Sequence, residues 1–218
     1  MNIKKGIKLV LTIGIIVVLV IGFTYKEKLL EGKFYSEIKV KNYGSIYLEL
    51  DADVAPRTVE NFINLVNEKF YDGLTFHRII ENFMIQGGDP LGDGTGGSDK
   101  TVIGEFESNG YKNDIKHERG VISMARSQDN NSASSQFFIV HKTSSHLDGN
   151  YAAFGYVTKG MDVVDKIIEK TSKLADESSG QVPKEKQPII DSIRMIDEKV
   201  KEEPTTTTTT TTKKSNKK

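Results

Sequence analysis

In the middle of this chain the apolar residues come only in short runs, at residues 121–125, 137–140 and 152–157, separated by Gly, Asn, Ser and Asp. Runs that brief, cut by turn-forming residues, suit strands better than helices. Two segments break the pattern. After Pro56, Val59, Phe62, Ile63 and Val66 recur at the i, i+3, i+4, i+7 spacing of a helix with one buried face. Within residues 162–170, Val163, Val164, Ile167 and Ile168 form a second such stripe. Ahead of the first helix, Ile38 and Val40 alternate with charged residues, Asn42-Tyr43-Gly44-Ser45 is turn chemistry, and Ile46, Leu48 and Leu50 alternate again. That pattern predicts a half-buried hairpin. A last strand is predicted over residues 189–196. Several short strands with two isolated helices predict a mainly β barrel or sandwich with helical caps, not alternating βαβ units.

The two ends follow other rules. Lys4, Lys5 and Lys8 precede an uncharged apolar run at residues 9–25, about 25 Å long as a helix against a hydrocarbon core of ~30 Å. Lys8 can snorkel to cover the difference. No A-x-A-like site follows, so residues 1–25 read as a signal anchor forming a transmembrane helix, with a cleaved signal peptide as the alternative. Basic residues ahead of the run predict a cytoplasmic N-terminus and an extracytoplasmic remainder. Residues 26–36 read as a spacer and 37–200 as one folded domain. Beyond it, Pro204, eight consecutive threonines (205–212) and a lysine-rich end predict a disordered tail over residues 201–218. Its basic tip is suited to contact with anionic cell-envelope material, a contact that salt should weaken.

Charge and composition exclude several functions. The chain has 30 Lys+Arg against 30 Asp+Glu, which argues against a nucleic-acid-coating protein. Cysteine is absent, removing disulfides, thiolate metal sites and cysteine nucleophiles together. Residues 92–97 satisfy G-x-G-x-x-G, yet no apolar helix follows, so they read as a backbone-permissive loop. Asp89, Asp93 and Asp99 miss the EF-hand spacing. His77, His117, His141 and His146 stand at no metal-ligand spacing, and no serine sits in a nucleophile elbow. No cofactor and no metal is expected.

The informative stretch is Phe76-His77-Arg78-Ile79-Ile80-Glu81-Asn82-Phe83-Met84-Ile85-Gln86-Gly87-Gly88-Asp89-Pro90. Here the chain resembles the cyclophilin family of peptidyl-prolyl cis-trans isomerases. The resemblance continues through Gly94-Thr95-Gly96-Gly97, Ser123-Met124-Ala125-Arg126, Asn131-Ser132-Ala133-Ser134-Ser135-Gln136-Phe137-Phe138-Ile139 and Leu147-Asp148-Gly149 to Phe154-Gly155. It implies a closed antiparallel eight-stranded β-barrel capped by two helices, acting as a monomer on proline-containing polypeptides. By residue, it implies Arg78 as the catalytic donor and Gln86 as the group that places the substrate backbone. Phe83, Met84, Phe138 and Leu147 would line a proline pocket, Ala125 and Arg126 would hold the peptide through main-chain bonds, and Gln136 would assist. The chain departs from the best-known eukaryotic members at three positions: His146 stands for a Trp, Tyr151 for a pocket His, and Arg126 for an Asn. These exchanges look like those of bacterial members.

The implied chemistry needs no nucleophile. Rotating an X-Pro bond breaks amide resonance, against a barrier of ~18–20 kcal/mol. A catalyst must grip the proline ring and prefer the twisted amide, whose nitrogen regains its lone pair. A guanidinium, always charged and carrying several donors in a fixed fork, suits that task. The preferred reading is therefore a membrane-tethered isomerase acting on exported polypeptides as they fold. A binding module that holds proline-containing segments without turnover is the alternative. His77, next to Arg78, is expected to face the opposite side of a strand and to be structural.

Overall fold

The structure, a computed structural model, describes residues 29–202. The apolar run at residues 9–25 and the tail from residue 203 lie outside the described residues, as do the expectations attached to them. Among the described residues, no helix is long and apolar enough to cross a membrane.

Strands β1 (Lys33–Val40) and β2 (Gly44–Asp51) form the expected hairpin, with Ile38 opposite Ile46 and both buried. Asn42 turns it at φ 66°, a left-handed conformation that Asn tolerates. The strand begins inside the stretch expected as spacer. Lys33 and Phe34 already pair with Asp51 and Leu50, and the Lys33 ammonium donates to the carboxylates of Asp51 and Asp53. Those partners lie far along the chain, so local alternation does not reveal them.

Helix α1 (Pro56–Asn67) buries Val59, Phe62 and Val66 as its spacing predicts, while Ile63 is only half buried and Leu65 is buried. Its N-cap, Ala55, has no capping side chain. The carboxylate of Glu105 does that work from a distant loop, accepting from the N–H groups of Arg57 (3.1 Å) and Thr58 (2.9 Å) and from the Thr58 hydroxyl (2.7 Å). A negative charge there also meets the positive end of the helix dipole. Helix α2 (Met161–Thr171) buries Val163, Val164, Ile167 and Ile168, all four as expected.

Strands β3 (Thr75–Ile80), β4 (Met84–Asp89), β5 (Val121–Met124), β6 (Phe137–Val140), β7 (Ala153–Lys159) and β8 (Ile190–Ile196) complete one antiparallel sheet, ordered β3-β4-β6-β5-β7-β2-β1-β8. It curls until its edges meet at one end. The contact consists of the Thr75–Ile189 bridge and bonds such as Gly73 N–H to Ile190 O (2.8 Å) and Phe76 N–H to Pro188 O (2.9 Å). This is a curled sheet with a short seam, not a ladder closed along its length, and Pro188 has no N–H with which to extend the seam.

Register decides which residues face the core. Ile79, Ile85, Ile139 and Ile122 stand side by side across β3, β4, β6 and β5, all buried in the main core. The adjacent row, Arg78, Gln86, Phe138 and Ser123, must point to the other face, because side chains alternate along a strand. A smaller apolar cluster of Met84, Val121, Phe138, Val140 and Leu147 covers that second face, and the candidate site is built on it.

Candidate active site

The row from Arg78 to Phe138 opens into a cavity of about 300 Å³. Phe83, Met84, Phe138 and Leu147 give it apolar walls, Arg78 and Gln86 form one polar side, and Ala125, Arg126 and Tyr151 form the opposite rim. Phe83 follows the left-handed Asn82 (φ 60°) in the turn between β3 and β4. Phe138 meets Tyr151 edge-on at 5.9 Å. The concavity combines an apolar socket with a few convergent donors, the usual make-up of a small-ligand site.

The polar side is a relay of oriented groups. Arg78 Nε donates to Ser179 O (2.7 Å) and Nη1 to Gln86 Oε1 (3.2 Å). Gln86 Nε2 donates to Gln136 Oε1 (2.9 Å), whose own Nε2 donates to the carbonyls of Gly96 (2.7 Å) and Gly94 (3.1 Å). The series fixes both amide orientations, since each oxygen faces a donor and each nitrogen an acceptor. It also leaves Arg78 Nη2 without a partner among the described residues. Burial lowers the Arg78 pKa from its ordinary value, with Tyr151 opposing the shift, and the guanidinium stays charged.

Gln136 lines an adjoining groove, which it shares with Gln86, Ala125, Arg126 and the 94–98 loop. Ala125 commits its N–H to Gln136 O (2.9 Å), so its carbonyl is what it can offer a peptide. Arg126 lies over the rings of Tyr151 (4.8 Å) and Phe106 (5.1 Å) and donates twice to Asn150 O (3.0 and 2.9 Å). Its side chain therefore braces the rim. His146 does not line the cavity. It is exposed, and its ring stands 5.5 Å from that of Phe83.

His77 corrects a sequence expectation. The β3–β4 register shifts between Phe76 and Arg78, which defeats simple alternation, and His77 lines the same cavity as Arg78. It is fully buried, and burial pushes its pKa below the usual histidine value, although the Asp89 carboxylate favours the charged form. Asp93, Gly94, Ser179 and Gln181 also line the cavity and were missed. Gly94 had a signal in the glycine-rich loop. Ser179 and Gln181 had none, because they reach the site through a loop with no apolar periodicity.

Behind Phe138 lies a second group that sequence spacing did not reveal. His117 stacks on the Phe138 ring at 6.0 Å, with its Nδ1 3.0 Å from Asp148 Oδ1 and its Nε2 3.1 Å from Ser123 Oγ. Asp148 also accepts the His117 backbone N–H (2.8 Å). The carboxylate holds the proton on Nδ1, so Nε2 accepts from the serine hydroxyl. These are the residue types of a hydrolytic triad, but Ser123 is wholly buried and reaches no substrate. The group braces the pocket floor.

Burial lowers the pKa of His117 as well as His77, outweighing Asp148 in the former. As pH falls through the ordinary value of 6.5, the unfolded chain takes up protons that these two buried rings still refuse. Their contribution to stability is complete above that pH and declines as pH drops toward their folded values. Melting temperature should therefore fall between about pH 7 and pH 5, before the carboxylates titrate. A constant melting temperature across that interval would contradict the assignment of neutral, buried histidines.

Residues 35–195 match the family model described as cyclophilin type peptidyl-prolyl cis-trans isomerase/CLD. A peptidyl-prolyl cis-trans isomerase B from Bacillus subtilis is 49% identical over 117 residues, covering 54% of this chain and 78% of that protein. A peptidyl-prolyl cis-trans isomerase-like 2 from Rhizopus delemar is 44% identical over 147 residues, 66% of this chain, which spans only 26% of that longer protein. Among solved structures, a cyclophilin type isomerase from Cryptosporidium parvum, crystallised in the presence of the dipeptide Ala-Pro, superposes with a TM-score of 0.65 at 30% identity. The match covers 75% of this chain and 99% of that one.

Proposed function

Since the chain belongs to the cyclophilin-type peptidyl-prolyl cis-trans isomerase family, we propose that its cavity seats the proline ring of a polypeptide and that Arg78 catalyses rotation of the preceding bond. The observation that carries this reading is the charged guanidinium fixed by Ser179 O and Gln86 beside an apolar socket, with Nη2 still free among the described residues. In the planar amide the prolyl nitrogen shares its lone pair with the carbonyl and accepts poorly. As the bond twists, the lone pair returns, and a donor already in place binds the twisted form better than either planar one. Phe83, Met84, Phe138 and Leu147 hold the ring still while the acyl side turns. Gln86 and Gln136 keep the donor and the adjoining groove in register.

Bond rotation needs neither metal nor nucleotide. Among the described residues no cluster of three or more His, Asp or Glu could hold a metal ion. Turnover of an Ala-Pro peptide should be unchanged after dialysis against EDTA, and a loss restored by a divalent cation would contradict the mechanism. The basic test is acceleration of that peptide's cis-to-trans conversion, which takes tens of seconds or more unaided. A folded protein that binds the peptide but leaves the rate unchanged would be a binding module instead.

The lysines ahead of the uncharged run at residues 9–25 support a membrane-tethered enzyme acting outside the cytoplasm of a bacterial cell on exported chains as they fold. Protease added to intact cells should remove the isomerase domain, and full protection would contradict this arrangement.

A further inference from the structure

The carbonyl that anchors Arg78 belongs to a turn built around Asp176. Oδ1 of Asp176 accepts four hydrogen bonds, from Ser178 Oγ (2.6 Å) and N–H (3.1 Å) and from Ser179 Oγ (2.9 Å) and N–H (2.8 Å). The backbone closes around it, with Gly180 N–H on Asp176 O and Asp176 N–H on Gln181 O, both at 2.8 Å. The turn is then laid along β3 by Ile79 N–H to Gly180 O and Val182 N–H to His77 O, also 2.8 Å each. Gly180 permits the close approach: its φ is +75°, and a Cβ there would collide with the Ile80 side chain. Arg78 is the residue between the two tied positions of β3, and its Nε donates to Ser179 O.

We infer that Asp176 is a positioning residue for the isomerase reaction, holding the 176–181 turn so that the Ser179 carbonyl fixes the direction of the Arg78 guanidinium. The inference rests on the catalytic role proposed for Arg78. Asp176 itself is exposed and does not line the proline cavity, so it acts through the turn and not on the substrate. Its hydrogen bonds keep its carboxyl pKa at about 2, and the acceptor is ionised under any ordinary assay condition. With the turn released, Arg78 keeps its charge and its bond to Gln86 but loses the restraint at Nε. A long side chain then samples other rotamers, and a donor that must already be aimed when the amide twists is aimed less of the time.

The test uses the full chain with Asp176→Ala, Asp176→Asn and Ser178→Ala, an Ala-Pro peptide as probe, and turnover and peptide affinity read separately. Asp176→Ala should lower kcat by about tenfold with peptide affinity changed by less than about twofold. Asp176→Asn, which keeps an Oδ1 acceptor in the same place, should recover most of the loss. Ser178→Ala, which removes one donor from the turn, should lower kcat by about threefold at unchanged peptide affinity, and wild-type kcat in it overturns the inference if Asp176→Ala does not fold. Wild-type kcat in a folded Asp176→Ala protein, a loss confined to affinity, or no recovery in Asp176→Asn would each overturn the inference. Absence of turnover in the wild type would overturn the catalytic reading instead.

Discussion

Replacing Arg78 with alanine should lower kcat/KM by at least ~10²-fold, the scale of losing one preorganised donor to a charge-developing transition state, and should leave the protein folded. Arg78 sits on the outer face of β3, in register with Gln86 and Phe138, and takes no part in the main core. Its removal deletes a donor and leaves a gap at the cavity rim, open to water. The Gln86 amide oxygen loses one partner, but Gln86 stays bonded to Gln136, so the groove should keep its shape. The loss should therefore appear in turnover. A folded Arg78→Ala protein with near-normal kcat/KM would remove the guanidinium from the mechanism.

The second large effect lies one residue from the pocket floor, on the other side of the sheet. Phe137 is fully buried and meets Phe62 at 5.7 Å, Tyr71 at 5.6 Å and Phe76 at 6.1 Å, each nearly edge-on. Phe137→Ala leaves a cavity among rings that have no room to collapse, and should cost about 3–5 kcal/mol. Against a total stability of roughly 5–15 kcal/mol, that is a large drop in denaturation midpoint. Phe138→Ala, one position on, should chiefly weaken peptide binding, because Phe138 faces the cavity opposite Gln86. Chemical denaturation and peptide titration on the two variants check both halves. Equal stability losses with equal peptide affinities would show that the two faces do not divide the work in this way.

That division explains what could be read from the sequence. The stripe of Val59, Phe62 and Val66, the second stripe at residues 163–168 and the hairpin around Asn42 follow from spacing alone, because each is a local pattern with one buried side. The pocket residues could not be read that way. β5 and β6 are buried on both faces, so Phe137 and Phe138 look alike in a run of four apolar residues, and only resemblance to a family separated them. Long-range contacts stayed hidden: Glu105 capping α1, Lys33 reaching Asp51, and the Ser179 carbonyl on Arg78 each join segments far apart in the chain. The direction of His77 escapes the sequence for a different reason. A one-residue register shift reverses an alternation argument, and nothing in the composition around residues 75–80 signals it.

Whether Arg78 favours the twisted amide over both planar forms can be measured by exchange NMR on an Ala-Pro peptide saturating the full-length protein. The experiment yields the interconversion rate on the enzyme and, with a titration, the affinity for the planar forms. In Arg78→Ala the on-enzyme rate should fall about 100-fold while affinity shifts by no more than about threefold. An unchanged on-enzyme rate with affinity weakened about 100-fold would contradict the claim, because it would make Arg78 a ground-state binding residue.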